Sequence, residues 1–170
     1  MSRLRIALAG GLVAVVAAVS AGSALAAPPS DDSKNQTVKF TNRASVQLTL
    51  DTPVVDFGNV DPLAVNAASG GNANVKANAA WTLTTSAPAN FTESPTGSNL
   101  IPIGRLSLSA NGGAYNALAS GSNSVSSGAR TTNAGTDTTL AYHLALQFGD
   151  NPNTSGSNYQ AVLTYTATTP

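Results

Sequence analysis

The sequence predicts an all-β protein, an antiparallel immunoglobulin-like β-sandwich of about seven to nine strands preceded by a cleaved signal peptide. Three observations carry that prediction. Apolar and polar residues alternate in several short runs, most cleanly Leu140/Tyr142/Leu144/Leu146/Phe148 against Ala141/His143/Ala145/Gln147. Clusters of Gly, Pro, Asn and Asp separate those runs. No amphipathic helical period follows residue 26.

Residues 1–26 read as the signal peptide. Arg3 and Arg5 make a basic start, Ile6 to Val19 form an apolar run broken only by Gly10 and Gly11, and Ala24-Leu25-Ala26 supplies a small-x-small cleavage pattern. The run is shorter than the roughly 20 residues needed to span a bilayer, so no membrane association is expected after cleavage. Of 170 residues, 144 then remain, with six basic against eight acidic groups and a net charge of −2. Lys34, Lys39, Arg43, Lys76, Arg105 and Arg130 are scattered, which argues against nucleic acid or an anionic membrane as partner. Cysteine is absent, so an extracellular fold here relies on its core, and a chain of this length buries about two-thirds of its extended surface.

Residues 27–43 form an N-terminal arm whose apolar pair, Val38 and Phe40, is spaced for one face of an extra strand. At roughly 3.3 Å per residue such an arm reaches over about 50 Å. The sandwich domain is expected over residues 44–170. Val46/Leu48/Leu50 alternate as a half-buried strand ended by Pro53, and Val54 to Val60 follow, closed by an Asp61-Pro62 turn. Gly70-Gly71 reads as the next turn. The only tryptophan opens the run Trp81/Leu83/Thr85, whose expected neighbour is the terminal run Tyr159/Ala161/Leu163/Tyr165/Ala167. Pro88 and Pro95 bracket an expected loop around Phe91. The apolar face changes parity between Ile101/Ile103 and Leu106/Leu108, which predicts a bulge at Gly104. Asn111-Gly112-Gly113 is a turn signal, and residues 112–138 are long enough to require one or two short strands. Leu140 to Phe148 is the expected central strand, with Asp150 to Asn158 as a connecting loop.

Chemistry-bearing constellations are sparse, and no enzyme, cofactor or metal site is expected. His143 is the single histidine, on the polar face of its strand, and no Gly-x-Ser-x-Gly occurs. A zinc site would have to be built almost wholly from carboxylates. Asp150 to Gly156 is oxygen-rich but breaks the calcium-loop spacing at Pro152 and Thr154, and reads as a hairpin loop. Asp56, Asp61, Glu93 and Asp150 show no pairing suited to glycoside hydrolysis.

Val55-Asp56-Phe57-Gly58-Asn59-Val60, then Trp81-Thr82-Leu83 with Phe91 downstream, then Tyr159-Gln160-Ala161-Val162-Leu163-Thr164-Tyr165-Thr166 occur in that order. Over about residues 44–170 the chain resembles the WxL-type surface domains of Gram-positive bacteria. Those domains carry an Asp-Phe-Gly strand, a first Trp-x-Leu, and a second within a final strand. Here the second motif's Trp and Leu positions hold Tyr165 and Ala167. The resemblance implies noncovalent attachment to cell-wall peptidoglycan or another surface polymer, with Trp81, Leu83 and Tyr165 taking part. The residues themselves leave two other classes open. One is a structural subunit of a fibre, pilus or coat that self-associates by donating the Val38/Phe40 strand to a neighbour's sheet edge. The other is an adhesin or carbohydrate binder. Every reading places the protein outside the cell.

Overall fold

The computed structural model describes residues 34, 36–62, 64–95 and 97–170. The expected signal peptide lies outside the described residues, as does the start of the arm. The segment up to Phe40 and residues 41–170 are separate units. In the first, residues 36–40 carry no strand.

Residues 41–170 are nearly all-β and every strand pairing is antiparallel. The strands are β1 (Val46–Leu50), β2 (Val65–Ala77), β3 (Trp81–Ala87), β4 (Asn90–Ser94), β5 (Leu100–Pro102), β6 (Leu106–Ala110), β7 (Asn116–Ala117), β8 (Gly121–Gly128), β9 (Thr136–Ala145), β10 (Asn158–Gln160) and β11 (Thr164–Thr168). One sheet has the order β1-β2-β9-β6-β7, a second β11-β3-β8, and a small third β10-β4-β5. Residues 78–80 carry the chain from the first sheet to the second. Asn78 fixes that crossing by donating from Nδ2 to the Arg43 carbonyl (2.7 Å) and accepting from the Ser45 N–H (2.7 Å).

Alternation decides which face each strand buries. On β9, Thr138, Leu140, Tyr142 and Leu144 are buried, while the residues between them are exposed or half-buried. Val75 and Ala73 on β2 and Leu106 and Leu108 on β6 extend the same face, and it shares one core with Trp81, Leu83 and Ala87 of β3. The layering is therefore sandwich-like. As the central strand, β9 is flanked by β2 and β6, but it ends at Ala145. Leu146 and Phe148 lie beyond it, and Phe148 is exposed.

Several sequence expectations need correction. Gly70-Gly71 is not a turn between strands. It lies inside β2, where the pairing with β9 shifts register between Ser69 and Gly71. A glycine at positive φ serves a bulge as well as a hairpin, and Gly71 sits at φ +66°. Gly70 lies under the Tyr142 ring: a Cβ there would come within 2.4 Å of Cε2. The segment around Phe91 is strand β4 rather than a loop, paired on both sides by β5 and β10. The parity change near Gly104 is produced by a 3₁₀ turn over Ile103–Arg105 between two sheets, not by a bulge. Three residues per turn re-phase the chain, so Ile101, Ile103, Leu106 and Leu108 all point inward. Val54 to Val60 form no strand, yet Val55, Phe57 and Val60 still pack on the core. The run from Tyr159 to Ala167 divides into β10 and β11, which pair β4 and β3 respectively.

Because Gly70 has the Tyr142 ring where a Cβ would stand, Gly70→Ala is expected to cost about 1–3 kcal/mol of stability through overpacking. Urea unfolding reads that cost, and an unchanged midpoint would mean that the pair tolerates side chains as a solvent-facing turn does.

Candidate functional site

Strand β3 is the middle of its sheet. Its inward residues Trp81 and Leu83 are 3% and 0% exposed. The Trp81 indole rests over Gly128 of β8, where a Cβ would lie 2.8 Å from the ring. On the other side β11 pairs Ala167 with Leu83 and Tyr165 with Thr85. The two short motifs that the sequence separates by more than 80 positions are thus neighbours in one sheet. Tyr165 is half-buried, and its hydroxyl hydrogen-bonds the Tyr142 hydroxyl of the opposite sheet. Burial pushes both hydroxyls above their ordinary pKa. Trp81 and Leu83 therefore face the core and not a solvent-exposed surface.

The carboxylates serve local structure. Asp56 accepts the Gly58 N–H (2.8 Å) and so holds that glycine's positive-φ turn. Asp150 is bidentate to Arg105, 2.9 Å to Nε and 3.1 Å to Nη2, and also accepts the Gln147 N–H. The Arg105 guanidinium holds the Asp150 carboxyl below the usual range. Asp61 is exposed in a turn, where its carbonyl accepts the Ala64 N–H. Among the described residues no three His, Cys, Asp or Glu side chains gather as a metal-binding group. His143 is half-buried, and its ring stacks on Tyr115 with centroids 3.4 Å apart.

Glu93, the sole glutamate, is 5% exposed and joins two loops. Its Oε1 accepts the Ser157 hydroxyl (2.6 Å) and the Thr154 N–H, and its Oε2 accepts the Asn99 side-chain amide (2.9 Å) and N–H (3.4 Å). In the sequence Glu93 stands out only as a candidate for paired-carboxylate chemistry. Its partners are mostly backbone groups or lie some 60 residues away, and no spacing rule reports that. Ser157 and Thr154 hold the carboxyl well below 4.5, down to about 2. A carboxylate favoured in the fold stabilises it above its unfolded pKa and loses that contribution as pH falls. Melting temperature should therefore decline between about pH 4.5 and 2. Glu93→Gln should melt lower at pH 7 and lose part of that decline; an acid slope identical to the parent's would mean that the four contacts do not set the titration.

Two surface features remain. On the arm, Val38 and Phe40 are 80% and 88% exposed. At one side of the domain a groove of about 210 Å³ lies between the β6–β7 hairpin and β8. Buried Leu108 and Leu118, half-buried Val125 and exposed Asn116 and Ser124 line it. β7 and β8 are the short strands that the length of residues 112–138 requires, but no residue pattern places β8 or the groove, since Gly-Ser-Asn-Ser-Val-Ser-Ser-Gly is poor in strand formers.

No protein-family model matches the chain, and no curated protein sequence matches it significantly. Over the described residues the fold is nearly all-β and sandwich-like, with an inward-facing Trp-x-Leu strand, and Val38 and Phe40 form an exposed apolar pair.

Proposed function

We propose that the protein is exported to the cell surface as a non-catalytic, immunoglobulin-like module and acts there as a structural subunit, self-assembling by donating its arm as a strand. The observation that carries this reading is the exposure of Val38 and Phe40 on a segment without strand pairing. Single exposed apolar residues are ordinary. Two large ones spaced two apart form one face of a strand, and such a face gains by adding to an open sheet edge, where main-chain hydrogen bonds give affinity and side chains fill alternate pockets. Deleting residues 27–41 is expected to convert assembled particles to monomers in size-exclusion chromatography and electron microscopy. Particles of unaltered size would end the donated-strand account.

A second reading, attachment to cell-wall peptidoglycan, is favoured by the adjacency of Trp81-Thr82-Leu83 and Tyr165-Thr166-Ala167 on β3 and β11. In that reading the motif strands act as a rigid support for a binding rim. Purified protein should co-sediment with peptidoglycan, and recovery of all of it in the supernatant would remove this alternative.

A further inference from the structure

We infer that the acceptor of the donated arm is the groove between β7 and β8 of a second copy, where Val38 and Phe40 seat over Leu108, Leu118 and Val125. The inference rests on the strand-donation reading and adds to it the partner and the place.

Backbone pairing is open on this side of the domain. Among the described residues β8 pairs only with β3, and β7, two residues long, pairs only with β6. In an edge strand, alternate residues turn their N–H and C=O groups outward; on β8 the Asn123 side-chain amide donates to the Gly121 carbonyl (3.0 Å), which leaves the stretch beyond it to an added strand. β8 carries neither a charged residue nor a proline, the two devices that most often block such an edge.

The side chains beneath that edge suit an apolar occupant. Leu108 and Leu118 bring the domain core to the groove. Pairing of β3 with β8 shifts between Leu83 and Thr84, which face Ser126 and Ser124, so Val125 has no partner on β3. A bulge of this kind re-aims one side chain, and Val125 lines the groove. The groove offers about 210 Å³, and Asn116, Asn123 and Ser124 share its lining with the apolar residues.

The arm fits as that occupant. Residues 36–43 match the eight residues of β8 in length. With Val38 and Phe40 turned inward, Thr37, Lys39 and Thr41 face solvent, which gives the added strand one apolar and one polar face. A second copy is the natural donor, because every subunit then offers one arm and one groove and the contact propagates head to tail.

The absence of native cysteine makes the contact directly testable in the secreted protein. Copies carrying Phe40→Cys are mixed with copies carrying Val125→Cys under mild oxidation, with Ser124→Cys as a second acceptor variant should Val125→Cys fail to fold. A thiol-reducible dimer is expected with either acceptor, and none when Phe40→Cys meets Gln47→Cys on β1. Cross-linking to Gln47→Cys instead, with particles still forming, would overturn the groove while leaving strand donation intact. Absence of both particles and cross-links would overturn donation itself. A chain bearing both Phe40→Cys and Val125→Cys that cross-links only within itself would show that the arm returns to its own groove, and would overturn the second copy as occupant.

Discussion

The structure depends on one apolar contact, the inward face of β3 against the inward faces of β9 and β2. Without cysteine nothing covalent ties the sheets together, and among the described residues no α-helix packs against them. Each buried Leu or Val contributes about 1.5–3 kcal/mol on leaving water, and the core concentrates those residues where the two sheets meet. Leu83, Val75 and Leu140 are the largest apolar side chains that are wholly buried. The Tyr142–Tyr165 hydroxyl pair then fixes the register of one sheet over the other, since a polar group brought into that interior needs a partner.

That same contact explains which parts of the fold were legible in the sequence. Leu140/Tyr142/Leu144, Trp81/Leu83 and Val46/Leu48 announce themselves because burial on one face imposes a period of two, and period is what a sequence displays. Strand β8 is required by the length of its segment, but its place is hidden because it lies at an edge and contributes mainly Ser and Gly, with only Val125 turned to the core. Gly70-Gly71 misleads because positive φ serves a bulge and a turn alike; what separates them is the Tyr142 ring over Gly70, a contact across 72 positions. Proline misleads around Phe91, where Pro88 and Pro95 flank a five-residue strand instead of bounding a loop.

The candidate site was legible in its parts and hidden in its arrangement. Trp81 and Leu83 face inward, and the pairing of β3 with β11 sets Tyr165 and Ala167 beside them. Tyr165 retains an aromatic ring and gains a hydroxyl that Tyr142 satisfies, a contact tryptophan at that position would not reproduce in the same form. Ala167 faces Leu83 across the ladder, where a larger side chain would claim core volume. Tyr165 and Ala167 both suit packing against this particular interior.

Glu93 shows how a fold without disulfides can still order its long loops. A buried carboxylate needs several donors to repay its lost hydration, and four from two separate loops meet that need. Residues 97–99 and 154–157 are held against β4 by this one charge, while Arg105 and Asp150 hold the start of the same long loop against the 3₁₀ turn. Both anchors lie among the small sheet and its loops, whereas the open edges of β7 and β8 bound the groove beside the main sheets. Charge orders one region, and a mixed apolar and amide-lined groove beside two edge strands characterises the other. Under the strand-donation proposal, an arriving arm meets the second region and leaves the charge-anchored loops undisturbed.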